Sequence, residues 1–451
     1  MVDSMNSKLQ SLLDRAVRWI QSSDVDRIRI VSHYDTDGIT AAAILSIALY
    51  REGFNFHVSL MRNPFTQGLE RVKEEGNEFI IFSDMGSGQL PIIKDMSGRI
   101  IILDHHQPLK DLAIPDNILE INSNLCNLKG DSEACGATLS YVFATSLNKE
   151  NGDLAPLAIT GFTGDKQYIG GVKGLNKTIL EEAINSNLVT KEIGIKTPGE
   201  TVEDILYYTV DPYYPGISGN KDGIKHFLKH LGIDSSKPID TLTIFEKKKL
   251  FSALLLLLIK TGNTTPIILD TIIRERYHST MTHGEIEYYA DLLDACGKGE
   301  QRDLAFATCL GDEEAYGEAT LFYRSYTQLL LDELQELEVR GAKEKKHYRY
   351  FYSKESSRSG VVAGIAVNYL FDDRKPLISL VEHKDELHVS SRGNQRLVDK
   401  GLNLGEAMRL VANKLGGQGG GHRVAAGATI PLEKKELFLE ELDKVIGDQL
   451  K

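Results

Sequence analysis

The chain reads as an α/β protein with two parts: a doubly wound parallel sheet in its first half and a smaller α/β module at its C-terminal end. Three observations predict this. Short β-branched runs alternate with helix-length segments from Ile28 to Leu103. A long leucine-bearing helix pattern spans roughly 313–340, and after Gly341 strand and helix patterns resume at shorter spacing. With 451 residues, two domains or three are expected rather than one core.

The elements follow in order. Leu9, Leu12, Leu13, Ala16 and Ile20 recur at helical spacing, predicting an amphipathic helix over 6–22. Strands are expected at 28–32, 55–61, 78–83 and 99–103, with helices at 38–52 and 67–75 between them and further helices at 137–150 and 153–164. From 174 to 300 the pattern is mostly helical, broken by the aromatic, Pro- and Gly-rich stretch 207–219. Leu250 to Ile259 reads as a core helix, since the run falls short of the ~20 residues that span a bilayer. The C-terminal module is expected as strand 348–353, helix 360–370, strands 376–382 and 386–391, helix 403–415, a glycine loop, strand 424–430 and helix 432–448. The domain boundaries drawn from this are 1–312, a linker helix 313–342, and 343–451.

The apolar fraction of 41% and charged fraction of 26% are those of a globular protein. Cys126, Cys135, Cys296 and Cys309 lack zinc-finger spacing, and with no signal pattern at the N-terminus they predict free thiols and a cytoplasmic location without membrane attachment. The net charge of −12 is unevenly spread: residues 345–451 carry 18 basic and 14 acidic groups, hence +4, leaving −16 for the rest. Polyanion capture is therefore expected to lean on the C-terminal module and on bound cations.

Chemistry-bearing residues cluster where the strands end. His33, Asp35 and Asp37 alternate just past the first strand; Asp84 follows the strand ending at Ser83; Asp104, His105 and His106 follow Leu103; Asp165 closes a predicted helix. Carboxylates with imidazoles suit Mn²⁺, Mg²⁺ or Zn²⁺ better than a soft metal. Each lone Asp also fits a helix cap. Two tandem histidines after a carboxylate at an apolar strand end favour a metal or acid–base role, because burying them unpaired is costly. Farther along, Gly416–Gly421 places five glycines in six positions before His422, an opening for close backbone approach to an anion or base, without a Walker-type ending. Arg392, after Ser391 at a strand end, suits a phosphate contact.

In order and spacing, His33-Tyr-Asp35-Thr-Asp37-Gly38, Asp84, Asp104-His105-His106 and Asp165 resemble the four motifs of the DHH phosphoesterase superfamily. Ser391-Arg392 and Gly419-Gly420-Gly421-His422 resemble the signature of its DHH-associated C-terminal domain. The middle of the chain, near 291–297, is similar to archaeal RecJ-like proteins, including the GINS-associated nucleases. The resemblance implies that Asp35, Asp37, Asp84, His105 and Asp165 hold two divalent cations, Mn²⁺ or Mg²⁺, with Asp84 as bridge. It implies that His106 contacts the scissile phosphate, with Asp104 orienting the histidines. Arg392, Ser391 and Gly419–His422 are implied to grip the terminal nucleotide in a cleft closed by the C-terminal module. Several relatives place a metal-binding histidine where this chain has Val31; His33, two residues before Asp35, leaves two readings open, a substitute ligand or a residue behind the ligands. The implied activity is single-strand-specific exonuclease action on DNA or RNA releasing mononucleotides, in replication or repair, with the GINS complex as partner. The alternatives are a small-nucleotide (nano-RNA) phosphoesterase of the same superfamily and a GINS-binding replication scaffold with little nuclease activity.

Overall fold

The computed structural model describes residues 7–62, 67–109, 112–260 and 272–451. By packing, these fall into two compact units: Met1–Gly194 with Glu275–Tyr323, and Ile195–Arg274 with Arg324–Lys451.

In the first unit, α1 (Ser7–Gln21) buries Leu9, Leu13, Ala16 and Ile20 as its spacing predicts. Strands β1 (Ile28–His33), β2 (Phe56–Met61), β3 (Phe79–Ser83), β4 (Arg99–Asp104) and β5 (Ile118–Asn122) form a parallel sheet in the order β2-β1-β3-β4-β5. Helices α2 (Thr36–Arg51), α3 (Gln67–Glu74) and α4 (Leu90–Ile93) lie between them in sequence. The inner strands are buried at nearly every position, as a parallel sheet covered on both faces requires. Arg29 is buried too, its guanidinium held by Glu75 at 2.8 Å and by Ser59 at 2.8 Å. Chain order reverses across β1 and β3, so the crevice beyond their carboxyl ends is where such a sheet binds ligands. Helices α5 (Gly136–Leu147), α6 (Ala155–Gly164) and α7 (Gly174–Asn185) follow. Of these, α5 and α6 are buried almost all round and pack with α2.

Two elements of this unit escape the sequence pattern. β5 is interrupted by Glu120, a charged residue in a short run, yet it is wholly buried. The segment 174–300, expected to be mostly helical, contains a three-stranded sheet of β6 (Thr190–Gly194), β7 (Arg274–Ser279) and β8 (Gly284–Glu285). β6 is mostly exposed and polar, so no alternation marks it. Residues 261–271 of that segment lie outside the described residues.

In the second unit, α8 (Val202–Tyr208), α9 (Lys221–Leu231) and α10 (Ile244–Lys260) belong with the C-terminal module rather than with the sheet preceding them in sequence. Side-chain hydrogen bonds tie this segment in: Tyr207 to Gln328 at 3.0 Å, Tyr213 to Glu338 at 2.7 Å, and Tyr369 to Asp211 at 2.6 Å. The packing division thus differs from a boundary at 312. The apolar run 250–259 buries only one face of α10, at Leu250, Leu254 and Leu258, while Leu256 and Ile259 are exposed. Helices α11 (Ile286–Lys298) and α12 (Arg302–Cys309) return to the first unit, and the long helix α13 (Glu313–Arg340) contributes to both.

The module's six-stranded sheet has the order β13-β14-β12-β11-β10-β9, formed by β9 (Lys343–Glu344), β10 (Arg349–Tyr352), β11 (Leu377–His383), β12 (Glu386–Arg392), β13 (Gln418–Gly421) and β14 (Ala425–Pro431). Helices α14 (Ser356–Tyr369), α15 (Gln395–Asp399), α16 (Leu404–Lys414) and α17 (Lys435–Gln449) complete it, around a core that includes Tyr348, Ile378, Leu387, Met408 and Phe438. The glycine run is not a loop: it is the edge strand β13, paired antiparallel with β14. Glycine is needed there because a Cβ at Gly419 would come within 2.5 Å of the Met408 carbonyl oxygen on α16. Among the described residues, no helix is long and apolar enough to cross a membrane.

Phe82, fully buried in β3, should lose about 3–5 kcal/mol of stability on replacement by Ala. The same change at Leu321, which is 67% exposed, should stay within about 0.5 kcal/mol. Denaturation followed by the fluorescence of Trp19 in the same unit checks both.

Candidate metal centre

The carboxyl ends of β1, β3 and β4 deliver the acidic and imidazole groups to one place. Asp35 does cap α2, its Oδ1 accepting from the Gly38 N–H at 3.1 Å, while its Oδ2 faces His33 Nδ1 at 2.8 Å. Asp37 is buried in the first turn of α2 and accepts from the N–H groups of Gly136 at 2.6 Å and Ala137 at 2.8 Å, at the positive end of α5. That approach excludes a side chain at Gly136, whose Cβ would meet the Asp84 Cβ at 2.5 Å. Asp84 itself sits just past β3 in the left-handed region at φ 54°, a conformation costly for a non-glycine residue and concentrated at functional sites.

The side chains converge. His105 Nε2 lies 3.1 Å from Asp84 Oδ1, 3.4 Å from Asp165 Oδ2 and 3.7 Å from Asp37 Oδ2. His33 Nδ1 lies 3.5 Å from the other Asp84 oxygen, and His106 Nδ1 lies 3.9 Å from Asp84 Oδ1. Three groups offer ligand atoms within 4.8 Å of one another: His33, Asp35 and Asp84; Asp37, His105 and Asp165; and Asp84, His105 and His106. Asp84 therefore presents one oxygen to each side of the cluster. Asp104 is fully buried and accepts from the backbone N–H groups of Ser87, His105 and His106 and from His106 Nδ1 at 2.8 Å. So placed it fixes the orientation of the His106 ring, which is left half-exposed.

Burial and like charge dominate the electrostatics. Burial, with Asp84 and Asp165 nearby, pushes the Asp37 carboxyl well above its ordinary range. Burial likewise lifts Asp165 to about 7, against the pull of His105. Burial would lower the histidines, but the surrounding carboxylates outweigh it: Asp35 and Asp84 raise His33 to about 11, and Asp84, Asp165 and Asp37 raise His105 well above its usual value. Burial opposes the charged forms of Asp84 and Asp104 as well, yet their imidazole partners hold both carboxyls low. The cluster thus gathers protons to balance carboxylates that repel one another. Divalent cations supply the same balance, and a donor set of carboxylates and imidazoles suits hard or borderline ions.

Residues with no motif signal position these groups. The Gly130 carbonyl accepts from His105 Nδ1 at 2.5 Å, which fixes the proton on Nδ1 and turns Nε2 toward the carboxylates. Gln167 Nε2 donates to the same carbonyl at 3.0 Å; Asn176 donates to Gln167 Oε1 at 2.7 Å, and Thr138 to Asn176 Oδ1 at 2.6 Å. Asn124 Nδ2 bonds the His105 carbonyl at 2.8 Å. Lone amides scattered over 124–176 carry no spacing signature, so sequence reasoning passes over them.

The C-terminal candidates divide. Arg392 ends β12 half-buried, its Nη1 donating to the Ser391 carbonyl at 2.9 Å. Ser391 points the opposite way. It is fully buried, and its hydroxyl donates to the Ala426 carbonyl at 2.9 Å. Strand alternation puts Ser390, not Ser391, on the Arg392 face. Gly419, Gly420 and Gly421 lie along the outer edge of β14, followed by an exposed His422.

A doubly wound sheet carrying a carboxylate–imidazole cluster at its switch point defines an α/β protein with a candidate site for divalent cations. The DHH family, N-terminal domain, matches residues 27–162, and the DHHA1 domain matches 347–448. An uncharacterized protein of Methanocaldococcus jannaschii is 32% identical over 430 residues, covering 94% of each chain. The single-stranded-DNA-specific exonuclease RecJ of Haemophilus influenzae is 30% identical over 118 residues, which is 24% of this chain and 20% of RecJ. Among solved structures, RecJ of Thermus thermophilus in complex with Mn²⁺ matches 98% of this chain and 54% of its own, with TM-score 0.58 and 18% identity. CDC45 from Entamoeba histolytica matches 98% and 99%, with TM-score 0.64 and 14% identity. The chain belongs to the DHH phosphoesterase superfamily and is RecJ-like. It spans about half the length of the Thermus RecJ structure it matches.

Gln167→Leu should weaken Mn²⁺ binding ~10–100-fold and, because buried Asn176 loses its partner, lower stability by about 1–3 kcal/mol, read by titration calorimetry and melting. Mn²⁺ affinity should rise as pH passes upward through about 7, where Asp165 gives up its proton and becomes a ligand. An affinity flat between pH 6 and 8 would contradict that assignment.

Proposed function

We propose that the protein is a metal-dependent exonuclease that degrades single strands of DNA or RNA to mononucleotides, in DNA replication or repair. The observation that carries this reading is Asp84, whose two oxygens face the His33–Asp35 group on one side and the His105–Asp165 group on the other. Divalent cations, Mn²⁺ or Mg²⁺, would be held there by Asp35, Asp37, Asp84, His105 and Asp165, with His33 on the Asp35 side. Bound there, such ions would supply Lewis-acid activation of water and charge neutralisation for phosphodiester hydrolysis. Mn²⁺ in the Thermus RecJ structure and the single-strand specificity of the Haemophilus relative support the reading.

The protein's own groups do the rest. Asp104 holds His106 so that its half-exposed ring meets a phosphoryl oxygen, where transition-state charge develops. Arg392 and the segment Gly419–His422 of the second unit offer a guanidinium and backbone N–H groups suited to a terminal nucleotide.

The likeness to CDC45 favours a second reading, a GINS-binding replication scaffold. A scaffold has no use for the Asp84 cluster, so we place any GINS contact beside catalysis and not instead of it. A small-nucleotide phosphoesterase would share the metal site.

On 5′- and 3′-labelled DNA and RNA strands with Mn²⁺, the protein should release mononucleotides, and Asp84→Ala should lose more than ~100-fold of the rate. Undiminished activity in that variant would overturn the reading. A length series separates the rivals: a preference for substrates of one to a few nucleotides indicates the small-nucleotide enzyme. Co-purification with GINS tests the partner.

A further inference from the structure

One end of the C-terminal module's sheet gathers cations that the metal centre does not use. Residues 345–349, 372–375 and 392–396 carry seven basic and two acidic groups, hence +5, and the rest of 345–451 carries eleven basic against twelve acidic, hence −1. The module's whole positive surplus lies in these three short segments. Strand pairing brings them together: Arg349 opens β10, Leu377 opens β11 and Arg392 closes β12, and each is the direct cross-strand partner of the next. Residues paired in this way project from one face, so Arg349 and Arg392 share a face two strand spacings, ~10 Å, apart. At this end a cavity of about 420 Å³ is lined by Lys346, Arg349, Arg374 and Lys375 together with Glu344 and Asp372.

The ion pairs here use up the carboxylates and not the cations. Buried Arg349 holds Glu344 at 3.1 Å and Asp372 at 3.0 Å. Lys375 takes the other Glu344 oxygen at 2.8 Å, and Arg374 shares the same Asp372 oxygen at 2.6 Å with its side chain 75% exposed. Lys346 is exposed and forms no ion pair among the described residues. Toward Arg392, Arg396 pairs with Asp373 at 2.6 Å while 54% exposed. Exposed pairs of this kind contribute little and exchange readily for another anion.

Two features select that anion. Lys346, Arg374 and Arg396 stand in solvent across three strands, so charge rather than pocket shape does the selecting, over a span too long for one phosphate. That is the pattern of sequence-independent backbone binding. The row also ends at Arg392, the guanidinium suited to a terminal nucleotide, which favours a nucleic-acid strand over an acidic peptide. We propose that this end of the sheet is a second phosphate-binding surface, holding the sugar–phosphate backbone of a strand whose terminal nucleotide meets Arg392. The inference rests on the single-strand reading above and adds to it a preference for strands longer than a few nucleotides.

The test is fluorescence anisotropy of a labelled strand of ~16 nucleotides with the full chain in EDTA, where the strand is not hydrolysed, over a series of salt concentrations. Lys346→Ala with Arg374→Ala should weaken binding ~10-fold or more and lower the slope of log affinity against log salt by about 1. Lys346→Ala alone, at a side chain with no ion pair, should lower the slope by about half as much. Lys384→Ala with Lys434→Ala removes the same charge near the turn that joins β11 to β12, at the opposite end of the sheet, and should leave affinity and slope nearly unchanged. Thermal melting confirms that the variants fold. An unchanged slope in the Lys346/Arg374 variant overturns the proposal and leaves the nuclease reading standing, since release of mononucleotides with Mn²⁺ judges that separately. Equal weakening by the Lys384/Lys434 variant reduces the effect to net charge and overturns it, as does the absence of strand binding. Displacement of the strand by oligoglutamate at lower concentration than by an unlabelled strand assigns the surface to an acidic protein and overturns it too.

Discussion

Everything in the N-terminal unit is arranged around mutual repulsion among Asp37, Asp84 and Asp165, carboxylates brought within reach of one imidazole. Gathering charges of one sign in a buried place is costly, and a fold that does so must hold them by other means. It uses the N-terminus of α5 against Asp37, the strained backbone of Asp84 locked by its N–H to the Leu103 carbonyl at 2.9 Å, and the imidazoles of His33 and His105. Each device is local, yet each depends on an element distant in sequence. Asp37 needs Gly136, and His105 needs Gly130.

That dependence explains why so much ordinary-looking packing is close. Helices α2, α5 and α6 carry small residues because their backbones must draw near enough for α5 to donate to Asp37. The amide chain through Gln167 and Asn176 anchors the Gly130 carbonyl that orients His105, and Gln167 Nε2 also reaches Asp165 Oδ2 at 3.5 Å. Cation binding and fold stability are coupled through these contacts, since a bound ion relieves the repulsion the scaffold otherwise bears.

The second unit handles polar groups in the opposite way. Its sheet ends in a glycine edge at β13, while Glu333 Oε2 and the Ser353 hydroxyl are buried without a hydrogen-bond partner. Side chains from 207 to 213 fasten the middle of the chain to α13 by tyrosine hydroxyls, and this is why packing groups that segment with the C-terminal module.

By itself the sequence determined the alternation of strands and helices, the long helix near 313–340 and the set of acidic and imidazole residues at strand ends. These are short-range properties: hydrophobic period, β-branched runs and motif spacing all act within a few residues. Tertiary structure alone decided the rest. Glu120 hid β5 and exposure hid β6, because a strand's identity there comes from its neighbours and not from its own alternation. A glycine run that read as a loop became β13, since only a partner strand and the nearby Met408 carbonyl give it form. Ser391 and Arg392 are adjacent in sequence, yet the period of two sends one into the core and leaves the other at the surface. Gln167, Asn176 and Gly130 gain their roles only when distant segments meet, with Gln167 reaching the Gly130 carbonyl from 37 residues away, a juxtaposition no local pattern encodes.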